Sequence, residues 1–284
     1  MTSRRVLAAA PLLISALVLS ACGSGAPGKN STGQLTVVTS FYPLQYAAEQ
    51  IGGGHVAVTN LTRPGAEPHD IELTTHDVAT VSKAGLVIYE KGLQGAVDKA
   101  AQSQAGNRAL DVAPAADLNL RLTSGGIDPH FWLDPQRYST VANAISARLS
   151  SADPAHKAEY EKNAKVFEDK LAALSAQFTS DLAGCRRRDL VTSHAAFGYL
   201  AQRFGMKQVA INGLSPEQEP NAAQIAAVST YARAKGVTTV YAETLASPAI
   251  AATVARESGA KVATLDPIEG LTKASSGKNY FEIM

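Results

Sequence analysis

Cysteine is almost missing from this chain: Cys22 and Cys185 are the only two in 284 residues. A disulfide framework is therefore excluded, and a hydrophobic core has to hold the fold. An excess of either charge is missing too. Twenty-six Lys and Arg face 25 Asp and Glu, for a formal charge of +1, which argues against nucleic acid or another highly charged polymer as partner. After the first twenty residues no apolar run is long enough to span a bilayer, so the body reads as soluble. Also missing are a His-Glu-x-x-His helix, a Gly-x-Ser-x-Gly elbow and a phosphate-cradling glycine loop, which removes the usual signatures of hydrolases and nucleotide enzymes.

What is present begins with a targeting pattern. Arg4 and Arg5 precede an apolar run from residue 6 to 19, which ends in Leu19-Ser20-Ala21-Cys22. The run is too short for a standard spanning helix of about 20 residues, and its flanks are those of a signal peptide. Small residues before a cysteine resemble the lipobox of bacterial lipoproteins. The expectation is a signal peptide over residues 1–21, with Cys22 as the lipid attachment point. Residues 22–33, rich in Gly, Ser, Pro and Lys, then form a flexible tether. The chain is expected to be exported and lipid-anchored to the outer face of the bacterial cell membrane. Cys185, left alone, is expected to be a partly buried, inert thiol.

The body alternates short β-rich runs with helical stretches. Residues 35–39, 56–61, 86–90, 190–193, 208–211, 238–243 and 261–265 look like strands, several nearly all apolar as in buried parallel sheets. Residues 44–51, 75–84, 195–204, 222–235 and 248–258 look helical, with Gly205, Gly236 and Gly259 where helix C-caps belong. One segment breaks the alternation. From Pro154 to about Ala183 there is no further proline and no glycine, and Asp153-Pro154 suits a helix N-terminus. The reading is an α/β lobe over residues 34–152, a stiff linking helix over 153–183, and a second α/β lobe over 184–284 that looks truncated.

Four residues carry the candidate chemistry. His69 follows a predicted strand in Glu67-Pro68-His69-Asp70, and His130 lies in the proline-bracketed Asp128-Pro129-His130-Phe131-Trp132-Leu133-Asp134-Pro135. His194 follows the strand at 190–193 and is expected to open a helix, while Asp266 ends the last strand before Pro267. In parallel α/β sheets, ligands bind beyond the C-terminal ends of strands. Three imidazoles and a carboxylate make a tetrahedral nitrogen and oxygen set suited to zinc. Asp70 and Asp134 are candidates to orient imidazoles through their second nitrogen. Trp132 reads as a core aromatic, and Glu243 is left outside the ligand set. His55, His76 and His156 read as surface residues.

At these motifs, together with Ser193-His194-Ala195-Ala196-Phe197-Gly198-Tyr199-Leu200 and Asp266-Pro267-Ile268, the chain resembles the zinc/manganese-binding solute-binding lipoproteins of bacterial ABC importers. The resemblance runs over almost the whole mature chain. It implies two Rossmann-like parallel-sheet lobes joined by a long rigid helix, the metal-type periplasmic-binding-protein fold. It also implies one metal ligand per motif, namely His69, His130, His194 and Asp266. Histidine at the third position is the pattern of zinc binders in that family, glutamate that of many manganese binders, so Zn(II) is the expected transported ion and Mn(II) the alternative. The implied partner is the membrane permease of a metal ABC importer, with the protein monomeric and not an enzyme. A histidine-rich loop common in zinc members is missing: residues 118–127 are short and hold no histidine. The rival functions are a zinc hydrolase, which would keep an open water position on its metal, and an adhesin, for which the chain offers no motif.

Overall fold

The computed structural model describes residues 28–122, 125–215, 219–273, 275 and 277–284. The expected signal peptide, Cys22 and the first half of the tether lie outside the described residues. Among the described residues no helix is long and apolar enough to cross a membrane.

In chain order, the first half holds β1 (Leu35–Thr39), α1 (Tyr42–Gly52), β2 (Val56–Asn60), α2 (Thr75–Lys83), β3 (Leu86–Tyr89), α3 (Gly95–Ala100), β4 (Ala109–Asp111), α4 (Ala113–Ala116) and α5 (Pro135–Ala152). The long α6 (Lys157–Ala183) follows. The second half holds β5 (Asp189–Thr192), α7 (Gly198–Arg203), β6 (Lys207–Ala210), α8 (Ala222–Ala234), β7 (Thr239–Ala242), α9 (Ala249–Ser258), β8 (Lys261–Thr264) and α10 (Tyr280–Ile283). Each half forms a four-stranded sheet, ordered β2-β1-β3-β4 and β6-β5-β7-β8. Every pairing is parallel.

The local causes are plain. Strand β3, Leu-Val-Ile-Tyr, is buried at all four positions, as a central parallel strand covered on both faces should be. Helices α2 and α8 start at capping boxes, Thr74 with Asp77 and Asn221 with Gln224, which satisfy the orphan amides of the first turn. Helix α9 stops at Gly259, whose φ of 78° only glycine adopts cheaply.

Helix α6 is 27 residues long, about 40 Å at 1.5 Å per residue. It buries Tyr160, Ala164, Phe167 and Leu171, a stripe at helical spacing. Phe167 packs on Tyr46 and Tyr138 of the first half, and Phe178 stacks on Phe204 of the second at 5.2 Å. The helix therefore seats against both halves. Its start differs from the expectation. Pro154–His156 form a 3-10 turn and the α-helix begins at Lys157. The Asp153 side chain makes no cap bond there, because Lys29, His156 and Tyr160 engage it.

Two further expectations change. Helix α7 begins at Gly198 rather than Ala195, so His194 sits in a turn and does not open the helix. Cys185 is exposed, not buried. The last helix also leaves the second half: Tyr280 stacks on Tyr46 at 6.0 Å and donates from its hydroxyl to the carbonyl of Trp132 at 2.5 Å. One buried cluster accordingly runs through both halves, from Val37 and Phe41 to Leu190, Phe197 and Tyr280.

Candidate metal centre

Five chain segments, four of them beyond strand ends, meet between the two halves. His69 lies in the loop after β2, which buried Gln94 pins by donating from Nε2 to the Pro68 carbonyl and to Thr62 Oγ1, both at 3.0 Å. His130 sits on the loop ahead of α5, fully buried beside Trp132, with ring centroids 5.2 Å apart. His194 follows β5, Glu243 follows β7, and Glu269 follows β8.

The geometry converges on one oxygen. Glu269 Oε1 lies 3.0 Å from His130 Nε2, 3.2 Å from His194 Nε2 and 3.4 Å from His69 Nε2. The Nε2 atoms of His130 and His194 are 3.4 Å apart. All four ligand atoms lie within 4.8 Å of one another. Four atoms held tetrahedrally at 2.0–2.1 Å from a zinc ion are separated by about 3.3 Å, so the four short edges measured here already match that polyhedron.

Behind the imidazoles stand carboxylates. His130 Nδ1 donates to Asp128 Oδ1 at 2.7 Å, and the same oxygen accepts the His130 backbone N–H at 3.0 Å. Glu243 Oε2 lies 2.6 Å from His194 Nδ1, off the axis of a well-aligned hydrogen bond, while Oε1 accepts the His194 backbone N–H at 2.9 Å. Such partners fix the ring orientation and leave Nε2 to face an ion. His69 has no counterpart: neither ring nitrogen has a hydrogen-bond partner, nor has Glu269 Oε2, although all are buried. Buried polar atoms without partners are rare unless a ligand satisfies them, so these atoms fit a bound cation.

Electrostatics follow from burial and proximity. Burial pushes His194 toward the neutral form, but Glu269 and Glu243 outweigh it and raise its pKa to about 10. His130 is raised for the same reasons, with Asp128 and Glu269 overcoming desolvation. His69, where desolvation wins over Glu269, is lowered. Glu269 is buried, which alone would raise its pKa, yet His194, His130 and His69 hold it well below the carboxylate range. Glu67 is pushed up to about 7 by burial and by Glu269, while its Oε1 accepts the His69 backbone N–H at 2.8 Å.

The structure does not bring the expected fourth ligand, Asp266, to the three imidazoles; Glu269 stands there. Asp266 stands outside the group of four. Its Oδ1 accepts the backbone N–H of Ile268 at 2.8 Å, so it shapes a turn instead of facing the histidines. That turn forces Ile268 to φ 56°, a strained value for a β-branched residue, and swings Glu269 inward. The missed signal was local: an Asp two residues before a free N–H, next to proline, is a turn former first, and the carboxylate one residue further is the one released to the cleft. Asp70 and Asp134 do not orient imidazoles either. Asp70 is exposed, and Asp134 caps α5 through Gln136 N–H and binds Arg203 bidentately at 2.9 Å.

Residues 37–284 match the family described as zinc-uptake complex component A, periplasmic, ZnuA. The chain belongs to the ZnuA family. Over 297 residues it is 35% identical to the high-affinity zinc uptake system protein ZnuA of Bacillus subtilis, covering 98% of this chain and 92% of that one. Over 291 residues it is 34% identical to the zinc-binding lipoprotein AdcA of Streptococcus pneumoniae, covering 95% of this chain but 57% of AdcA. The chain thus spans little more than half the length of that relative. The solved Zn(II)-bound ZnuA-like domain of AdcA superposes with a TM-score of 0.76 at 35% identity, over 88% of this chain and 95% of that domain. The ZnuA-family fold accounts for the two parallel sheets and the long helix seen here.

Proposed function

We propose that this ZnuA-family chain captures Zn(II) outside the cytoplasm and delivers it to the permease of an ABC importer. In this reading Cys22 carries the lipid anchor, and His69, His130, His194 and Glu269 hold the ion. The single observation that carries it is the N3O group: four buried ligand atoms within 4.8 Å of one another, with four of their six edges at 3.0–3.4 Å. Imidazole and one carboxylate in tetrahedral array suit zinc, whereas manganese favours more oxygen ligands in octahedral array.

The same group separates capture from catalysis. A catalytic zinc keeps three protein ligands and an open water position; four protein ligands around one centre support binding without turnover. The names of the relatives, a zinc uptake protein and a zinc-binding lipoprotein, agree with this cargo. The test is competition titration of metal-stripped protein with zinc and with manganese against a calibrated chelator. Tight one-to-one zinc binding, lost in His194→Ala, is expected. Preference for manganese, or hydrolysis of esters or peptides by the zinc-loaded protein, would overturn the reading.

A further inference from the structure

Helix α7 begins at a glycine that its own backbone does not require. Gly198 is not among the residues with positive φ, so any side chain could adopt its conformation. Space is what demands glycine. A Cβ at this position would fall 2.3 Å from Asp128 Oδ2 and 3.3 Å from Leu120 Cδ1. Real carbon and oxygen atoms do not approach to 2.3 Å without bonding, so one of the two would have to move, and packed interiors give little room for that.

Asp128 has little room to give. It is 1% exposed, its Oδ1 holds both the backbone N–H and the Nδ1–H of His130, and its own N–H donates to the Leu120 carbonyl at 2.9 Å. The next residue of α7 grips the same segment. Tyr199 Oη accepts the backbone N–H groups of Asn119 and Leu120 at 3.0 and 3.3 Å, and the Arg137 guanidinium lies 4.4 Å over its ring. The first turn of α7, from the second half of the molecule, is thus the seat on which the His130 loop of the first half rests.

We propose that Gly198 is a positioning residue for the metal site: the clearance it leaves lets Asp128 hold His130 Nδ1–H, so that Nε2 faces the ion. It acts across the boundary between the halves and touches neither metal nor imidazole. The inference rests on the zinc-capture reading for its consequence, but its geometric part stands apart from it.

The experiment is a double-mutant cycle in zinc affinity with Gly198→Ala and Asp128→Ala. Changes in the groups that orient a ligating histidine typically cost about 10–100-fold in metal affinity, and each single variant is expected to show a loss of that order. In the double variant the added methyl group has no carboxylate to displace, so its affinity should equal that of Asp128→Ala alone. Losses that multiply in the double variant, or unaltered affinity in Gly198→Ala, would overturn the proposal. Should Gly198→Ala fail to fold, restoration of folding by Asp128→Ala supports the clash, and continued failure rejects it. Should the native protein not bind zinc, the capture reading falls, and imidazole proton NMR decides Gly198 separately. The downfield His130 Nδ1–H signal is expected in the native protein and absent in Gly198→Ala at unchanged far-UV dichroism; its persistence would reject the role.

Discussion

Trp132 Nε1 donates a 2.7 Å hydrogen bond to the carbonyl oxygen of Pro267, tying the loop that carries His130 to the loop that carries Glu269. Trp132 is fully buried, so Trp132→Phe would keep most of the packing against Phe41 and leave the Pro267 carbonyl without its donor. An orphaned buried carbonyl costs about 1–3 kcal/mol. A lowered melting temperature and faster zinc release are expected, measured by thermal unfolding and by stopped-flow transfer to a chelator. A lowered melting temperature with an unchanged release rate would show that the bond serves the fold alone.

Glu269 and Asp266 sit in the same turn but do different work. Glu269→Ala removes the oxygen on which three imidazoles converge, and zinc affinity should fall by more than about 100-fold, beyond the range of outer partners. Asp266→Asn keeps an acceptor for the Ile268 N–H and should stay within about tenfold. His156→Ala, remote from the site, should leave affinity unaltered. Chelator competition ranks the three, and a larger loss for Asp266→Asn than for Glu269→Ala would return the fourth ligand to Asp266.

In the proposed capture, zinc has to displace protons. Burial opposes the charge on His194, but Glu269 and Glu243 outweigh it, and with a pKa of about 10 it is protonated at pH 7 in the metal-free protein. His130 is raised in the same direction. Metal and proton compete for Nε2, so affinity should rise with pH, by about tenfold per unit for each proton released. The metal-free fold shows the opposite sign: a raised folded pKa contributes stability that is complete below about 6.5 and lost as pH climbs through about 10. Calorimetry in buffers of different ionisation enthalpy counts the protons. An affinity that is flat between pH 6 and 8 would contradict this assignment.

Asp153 should behave as a structural acid. Burial works against its charge, yet His156, Lys29 and Tyr160 together bring its pKa from 3.8 down to about 2. A depressed acid stabilises the fold above its unfolded pKa, near 4, and loses that contribution as pH falls through about 2. The shift corresponds to about 2 kcal/mol. Asp153→Ala is expected to lose that much at pH 7 by urea denaturation, with the gap to the native protein closing below pH 4. A gap independent of pH would assign the effect to packing.

The legible parts of the sequence were those where burial leaves a pattern. Strand β1 was readable because Val37 and Val38 both face core, and β3 because all four of its residues do. Strand β4, Ala109–Asp111, is three half-buried residues and carries no pattern to read. The three histidines were legible through their motifs; their partners were not. Asp128 stands two residues from His130 in the same motif, but nothing linear marks it as the partner of that ring; Glu243 meets His194 only when the ends of β5 and β7 lie side by side, and Glu269 meets His69 and His130 only when the two halves come together. Asp266 misled because its turn-forming bond to Ile268 and a ligand role look alike in a linear motif.

The two sheets share one strand order, β2-β1-β3-β4 and β6-β5-β7-β8. The molecule has the layout of a dimer written into a single chain, with His69 and His130 supplied by one half and His194 and Glu269 by the other. Joining the halves through a rigid helix turns what would be an association reaction into an intramolecular one, at an effective concentration on the order of millimolar or higher. In the proposed capture, binding would then scale with free ion alone: dilution of the protein should not weaken it, and one ion should saturate one chain.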